Sequence, residues 1–207
     1  MEQMKKDKFS VIIRTRNEER WIGHTIQSVL DHFEKPEIII VDNKSTDKTI
    51  DIVKYFVQEP ALETTTESNY TKIKIKYVDD YSPGKALNLG VKHSSNKYIL
   101  IISAHCVLNK INIQSHIVQL KKYVCVFGKQ IPIRYGKKIT KRYFWSNFIN
   151  KKVENMHSKL ENRYFLHNAI AIYNRSILKK YPFNENLIGK EDRYWAEKII
   201  KNNKKIL

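Results

Sequence analysis

The sequence predicts an α/β fold, a Rossmann-like, mostly parallel sheet with helices on both faces. Three apolar runs carry the prediction, and each leaves into polar residues. Val11-Ile12-Ile13 exits into Arg14-Thr15-Arg16-Asn17-Glu18-Glu19, Ile38-Ile39-Ile40-Val41 into Asp42-Asn43-Lys44-Ser45-Thr46-Asp47, and Tyr98-Ile99-Leu100-Ile101-Ile102 into Ser103-Ala104-His105. Continuous apolar runs, as opposed to alternating ones, mark strands buried on both faces. An open α/β sheet presents its ligand site where such strands end.

The remaining elements follow in order. Asn17 is placed to cap a helix with Glu18 and Glu19 in its first turn and Trp21, Ile22, Ile26, Val29 and Leu30 on one face. Glu37 to Val41 forms the second strand, and Thr46 or Asp47 caps a second helix carrying Ile50, Ile52, Val53, Phe56 and Val57. Residues 59–71 lack periodicity and read as a loop. Ile73, Ile75 and Tyr77 alternate with lysines, the pattern of an edge or half-exposed strand. Leu87 to His93 reads as a short helix before the strand at Tyr98, so the first half is βαβαβαβ. Then come a helix over 113–123, a short strand over 124–127, a Lys-, Arg- and aromatic-rich mobile or helical excursion over 134–164, a strand over 168–173, a short helix over 175–179 and a closing amphipathic helix from Glu191 to Ile200. No repeat or linker divides residues 1–207, which read as one domain.

Bulk composition narrows the class of protein. At 42% hydrophobic residues the chain is globular, and no apolar run approaches the ~20 residues of a membrane span. The charged start, Met1 to Lys8, lacks the apolar segment of a signal peptide. The two cysteines, Cys106 and Cys125, lie in or beside apolar runs and read as small core residues of a reducing compartment. A formal charge of +17 fits either an anionic partner or a solvated lysine-rich surface, and no nucleic-acid-binding motif accompanies it.

Five motifs in order, Ser10 to Glu19, Val41 to Asp47, Gly84 to Gly90, Ser103 to His105 and Phe183 to Trp195, resemble the family 2 glycosyltransferases with their GT-A type fold. The likeness spans nearly the whole chain. The closest branch has an Arg-Thr-Arg-Asn-Glu-Glu opening, Ser-Ala-His in place of the Asp-rich metal motif, and Gly-Lys-Gln-Ile-Pro at 128–132. The resemblance implies that Thr15 and Arg16 lie beside the base and ribose of a nucleotide-diphospho-sugar, with Asn17 also in the donor site. It places Asp42 where its carboxylate accepts from a pyrimidine ring N–H; on composition alone, Asp42 is equally a turn residue. Lys85 is a cation for the diphosphate, and Ser103 and Ala104 belong to the donor site. Asn88 reads as structural, and Asp47 as a helix cap.

Ser103-Ala104-His105 departs from the family pattern, in which the last of two aspartates binds a divalent metal. His105 either holds a divalent cation, Mn²⁺ or Mg²⁺, or itself stabilises the leaving diphosphate with no metal. By resemblance Asp192 is the general base that takes the proton from the acceptor hydroxyl, which implies single displacement with inversion. Glu191 holds the acceptor or orients Asp192, and His167, Asn168 and Trp195 line the acceptor side. Relatives often continue into another strand; its absence after Leu207 suggests an exposed sheet edge and therefore a homo-oligomer or a docked partner.

The implied function is an inverting glycosyltransferase of surface polysaccharide synthesis, acting in the cytoplasm on a glycan or lipid-linked acceptor. The basic, aromatic residues Lys137 to Lys152 suggest peripheral contact with an anionic membrane at the inner face of the plasma membrane. A catalytically silent nucleotide-sugar-binding module is the alternative. A nucleotidyltransferase is disfavoured because Arg14-Thr15-Arg16-Asn17-Glu18 is not a Gly-rich phosphate loop, and the chain has no nucleic-acid partner by motif.

Overall fold

The computed structural model describes residues 8–57, 72–139, 151–159 and 162–207. The first seven elements are β1 (Phe9–Thr15), α1 (Ile22–His32), β2 (Glu37–Asp42), α2 (Thr49–Phe56), β3 (Ile73–Tyr77), α3 (Pro83–His93) and β4 (Tyr98–Ser103). They are followed by α4 (Ile113–Gln119), β5 (Cys125–Phe127), the two-residue strands β6 (Ile133–Arg134), β7 (Lys137–Lys138), β8 (His157–Ser158) and β9 (Arg163–Tyr164), then β10 (Ile170–Asn174), α5 (Arg175–Lys180) and α6 (Glu191–Lys201).

The main sheet has six strands in the order β3-β2-β1-β4-β10-β5. Its first four are parallel, while β10 runs antiparallel to both β4 and β5. All six residues of β2 are buried, as a central parallel strand requires, whereas β3 at the edge is only half-buried. Alternate strand residues enter two cores. Val11, Ile13, Ile38, Ile40 and Leu100 meet α1, α2 and α4 on one face. Ile12, Ile39, Val41, Ile99 and Ile101 meet α3, α5 and α6 on the other. Cys125 is fully buried, and burial raises its thiol; burial, then the Glu18 charge, raises that of Cys106 to about 11, so both are inert.

The glycines of Gly84 to Gly90 serve packing. A Cβ on Gly84 would lie 2.2 Å from the Asn184 carbonyl oxygen, and one on Gly90 2.5 Å from Ile12. Only glycine lets the start of α3 touch the 183–185 segment and the middle of α3 touch β1. Asn88 completes the seam as the sequence suggests: its Nδ2 donates to Phe183 O at 2.9 Å and its Oδ1 accepts from Phe183 N at 3.0 Å.

Several expectations change. Within the mostly parallel sheet expected, β10 alone runs reversed, a direction its composition does not record because an apolar strand buried on both faces reads the same either way. α3 starts four residues earlier than periodicity suggests: Ser82 accepts from Lys85 N at 3.1 Å as its N-cap and Pro83 fills the first turn, so Lys85 is helical. α1 starts later. Trp21 and Ile22 both donate to Glu18 O at 2.9 Å, Asn17 does not cap, and Trp21 is 47% exposed. In place of a helix, the described part of 134–164 forms two small hairpins, β6-β7 and β8-β9. The Arg142-Tyr143-Phe144-Trp145 stretch read as membrane-facing lies outside the described residues. The outer edge of β5 is covered: Val124 N donates to Lys205 O at 2.9 Å, Leu207 N to Cys125 O at 3.0 Å and Phe127 N to Leu207 O at 2.9 Å. The open edge that motivated an oligomer is therefore paired within the chain.

At the end of the sheet opposite the strand exits, Glu37 is 5% exposed and ties four segments together. It accepts from Lys74 Nζ and Ser10 Oγ at 2.5 Å, Ser95 N at 2.7 Å and Ser95 Oγ at 3.0 Å. Burial alone would raise its carboxyl, but these donors outweigh burial and bring it down to about 2 from 4.5. A depressed folded-state value means stabilisation that is complete above about pH 4.5 and is lost as pH falls toward about 2. Glu37→Gln should lower the unfolding free energy by roughly 3 kcal/mol at pH 7. In urea titrations this difference should narrow below pH 4. In a second comparison, Gly84→Ala should cost ~1–3 kcal/mol by overpacking, while Gly189→Ala, whose Cβ meets nothing within 4 Å, should be nearly neutral.

Candidate active site

Parallel register sets the polar exits side by side. Thr15 pairs with Asp42, and Arg14 with Ser103. The β1 and β2 exit loops are then zipped together. Asn43 N donates to Thr15 O at 2.9 Å, Asn17 N to Ser45 Oγ at 2.9 Å and Thr46 N to Asn17 Oδ1 at 2.8 Å. Asp47 takes Glu19 N at 3.1 Å and Thr49 N at 3.0 Å. The N-cap of α2 is Lys48, not Thr46 or Asp47 as expected; Asp47 braces the turn just before it, and although burial opposes it, these donors and the Thr49 hydroxyl hold its carboxyl below the ordinary value.

A ring of contacts closes around the exits. His105 Nδ1 lies 3.0 Å from Glu18 Oε1, joining β4 to β1. Arg14 donates to Glu191 Oε1 at 3.0 Å, joining β1 to α6. Next to Glu191, Asp192 accepts from Asn168 N at 3.2 Å, and Ala169 O accepts from Ser103 N at 3.2 Å, which returns the ring to β4. Asp192 is 6% exposed; its other oxygen takes Arg193 N at 2.8 Å and the Arg193 guanidinium at 3.1 Å. Arg193 is itself buried, with its guanidinium carbon 4.8 Å from the Phe165 ring centre. Behind Asn168, Tyr173 donates to Asn168 Oδ1 at 2.5 Å. Glu191 and Asp192 also occupy the first turn of α6, where the helix dipole favours acids.

Three of the eight non-glycine residues with left-handed backbone among the described residues lie at these strand exits or at the start of α6. Asn17, Lys44 and Lys190 adopt left-handed backbone with φ of 53°, 51° and 58°. Such conformations persist only where surrounding bonds impose them. Two buried polar atoms lack a partner among the described residues, Thr15 Oγ1 and Asn168 Nδ2, and both belong to this site.

The structure thus brings together Thr15, Asn17, Ser103, His105, His167, Asn168, Glu191 and Asp192. Arg16 lies at the β1 exit, exposed. Lys85 pairs with Asp80 at the start of α3 and makes no contact with the ring. Three expectations need correction. Trp195 is 2% exposed and packs edge-on against Tyr173 with ring centres 5.3 Å apart, so it belongs to the core, not to the acceptor side. Ala104 is buried, and its carbonyl accepts from Thr25 Oγ1 at 2.6 Å, facing α1. Asp42 is 1% exposed with both oxygens taken by Ser45, at 2.5 Å from Oγ and 2.9 Å from N, so it anchors its own turn. Sequence reasoning gave no role at the site to Arg14, Glu18, Ser45, Tyr173 or Arg193. Arg14 carried a usable signal, a full charge at the end of an otherwise apolar strand.

A metal fits only in part. Among the described residues no three His, Cys, Asp or Glu side chains gather to hold an ion. The His105–Glu18 pair, however, is the carboxylate–imidazole arrangement that orients a ligating histidine and leaves its Nε2 available.

Comparison with known proteins identifies relatives of the chain. The family model described as Glycosyl transferase family 2 matches residues 10–182, from β1 to just past α5. Over 99 residues, 46% of the chain, it is 33% identical to a dolichyl N-acetyl-alpha-D-glucosaminyl phosphate 3-beta-D-2,3-diacetamido-2,3-dideoxy-beta-D-glucuronosyltransferase of Methanococcus voltae. Over 108 residues, 50% of the chain, it is 30% identical to the poly(ribitol-phosphate) beta-N-acetylglucosaminyltransferase TarS of Staphylococcus aureus. These matches span 28% and 17% of the two relatives' lengths. Among solved structures, S. aureus TarS 1–349 in complex with UDP-GlcNAc superposes with a TM-score of 0.69 at 22% identity, covering 97% of this chain and 56% of that one. The mannosyltransferase PcManGT of Pyrobaculum calidifontis in complex with GDP-Man and Mn²⁺ superposes at 0.68 and 19% identity, covering 96% of this chain and 53% of that one. With the family model matched over most of its length and the GT-A fold shared, the chain belongs to glycosyl transferase family 2.

Proposed function

We propose that residues 1–207 act as one catalytic domain that transfers a sugar from a nucleotide-diphospho-sugar to a glycan or lipid-linked acceptor with inversion. The observation that carries this reading is the closed ring of contacts, which sets the strand exits and the acidic start of α6 around one space. UDP-GlcNAc and GDP-Man complexes of the structural neighbours support a nucleotide-sugar donor.

Each residue then has a task. Thr15, Arg16 and Asn17 form the base and ribose side, with Asp42 holding the loop that carries them. Ser103 and His105 face the diphosphate from β4. A divalent ion, when bound there, would supply charge to the leaving diphosphate, held by His105 with Glu18 as its orienting partner; without one, protonated His105 supplies that charge itself. Asp192 receives the acceptor proton. Arg193 and Asn168 N–H hold the carboxylate in place, and Glu191 locks the helix start to β1 through Arg14. His167 and Asn168 line the acceptor side.

Calorimetric titration of UDP, GDP, CDP and dTDP, each with Mn²⁺ and with chelator, tests the donor site. One nucleotide should bind, and silence from all four would turn the assignment toward a module without transfer activity. Asp192→Asn should reduce turnover at least ~100-fold, as loss of a general base does, while donor affinity stays within about threefold. Near-normal turnover in this variant would remove Asp192 as the base. His105→Ala should abolish any Mn²⁺ dependence of nucleotide affinity; equal binding by the unaltered chain in chelator would assign His105 the direct charge role.

A further inference from the structure

Net charge is unevenly spread along the chain. Residues 81–153 hold fourteen Lys and Arg and no Asp or Glu, so they carry 14 of the formal charge of +17. The β6-β7 hairpin belongs to this acid-free stretch, and every residue from Ile133 to Lys138 is exposed. Register sets Arg134 directly opposite Lys137, where like charges repel. Among the described residues neither they nor Lys138 pair with an acid. Lysines elsewhere do find acids: Glu154 serves Lys122 and Lys205, Glu37 serves Lys74 and Asp80 serves Lys85. The hairpin thus gathers three cations whose neutralising charge has to come from outside the described residues.

Apolar side chains stand among these cations. Ile133 is 65% exposed and Tyr135 88%. Tyr135 and Gly136 form a two-residue turn with φ of 49° and 73°, the type I′ geometry of tight hairpins. That turn favours Asn, Asp or Gly, and a bulky residue at positive φ costs energy. Folding therefore gives no reason for a tyrosine at the tip. The Arg134 guanidinium carbon lies 5.3 Å from the Tyr135 ring centre, so ring and charge are presented together. Aliphatic and aromatic tips flanked by Lys and Arg suit the boundary of an anionic bilayer, where apolar groups enter the headgroup layer and cations meet lipid phosphates. A soluble polyanion would answer the charges and leave Ile133 and Tyr135 in water.

We propose that the β6-β7 hairpin docks the protein on an anionic lipid bilayer, with Ile133 and Tyr135 in the headgroup layer and Arg134, Lys137 and Lys138 on lipid phosphates. Sheet direction says which way the protein then faces. Because β10 is antiparallel to both β4 and β5, β5 runs with β4 and leaves the sheet at the end where Ser103 leaves it. The hairpin begins after only five more residues. Docking through it turns the strand-exit end of the sheet toward the bilayer. The hairpin shares no residue with the candidate site, so docking and transfer are separable by experiment.

The test uses the full chain and co-sedimentation with vesicles of equimolar phosphatidylglycerol and phosphatidylcholine, with vesicles of phosphatidylcholine alone, and with heparin as a soluble polyanion. Anionic vesicles should be bound at least ~tenfold more tightly than neutral ones. Ile133→Thr combined with Tyr135→Asn keeps every charge and puts a strand former and a turn former where each is favoured, so the hairpin stays folded. This pair should weaken vesicle binding at least ~tenfold through lost apolar burial and leave heparin binding unchanged. Arg134→Glu combined with Lys137→Glu and Lys138→Glu should weaken vesicle binding by at least as much. Absence of binding to anionic vesicles, equal binding to neutral ones, or vesicle affinity indifferent to either set of substitutions would overturn the proposal; indifference to the Ile133 and Tyr135 pair with heparin binding intact would assign the charge to a soluble polyanion. Nucleotide binding and transfer without vesicle binding would defeat this inference alone, whereas vesicle binding without nucleotide binding would defeat the function proposed above and leave the docking surface standing.

Discussion

The Arg14–Glu191 ion pair joins residues 177 positions apart, the end of the first strand to the start of the last helix. Glu191 is almost fully buried and Arg14 about three-quarters so. A carboxylate at that depth is tolerated only with a charged, hydrogen-bonded partner, and removing one member of such a pair typically costs about 3–5 kcal/mol. The rest of the site hangs from this contact. With Glu191 fixed, Asp192 meets Asn168 and Arg193, and through Ala169 the start of β10 is held to β4. Were α6 free to shift by one residue, each of these bonds would be lost together.

A second buried carboxylate, Glu37, does equivalent work at the opposite end of the sheet by gathering β1, β2, β3 and the segment before β4. The central strands are therefore pinned at both ends. This matters for a site built from loops, because a loop is only as well placed as the strand it leaves. The hydrogen bonds between the β1 and β2 exits extend that order outward, and the left-handed residues Asn17, Lys44 and Lys190 show where the chain yields to it.

The strand exits were legible in the sequence because burial on both faces writes itself as a continuous apolar run, and because parallel strands end on one side. Strand direction was not, since Ile170-Ala171-Ile172-Tyr173 has the composition of a buried strand either way. Helix starts depended on local chemistry. Ser82-Pro83 was readable as a cap followed by a first turn, while the Asn17 region was captured by a neighbouring loop 28 or 29 residues away, which no local rule reports. The same limit governs individual site residues. Asp192 and Glu191 could be named from their motif, but whether Asp42 meets a ligand or its own turn, and whether Trp195 faces solvent or Tyr173, is decided by long-range packing. Glu18 and Arg193 were invisible for the same reason: their roles exist only through His105 and Asp192.

The reversed direction of β10 has a consequence for how such a protein can diversify. The residues assigned to the donor leave the sheet at the ends of parallel strands, whereas His167 and Asn168 arrive at the same place on a strand beginning there. The segment between β5 and β10 is thus a single loop-out that starts and finishes on the sheet. Its length and composition can change without altering the register of β1, β2 or β4. One half of the candidate site is fixed by the sheet's core, and the other is reached by a segment whose changes leave that core in place.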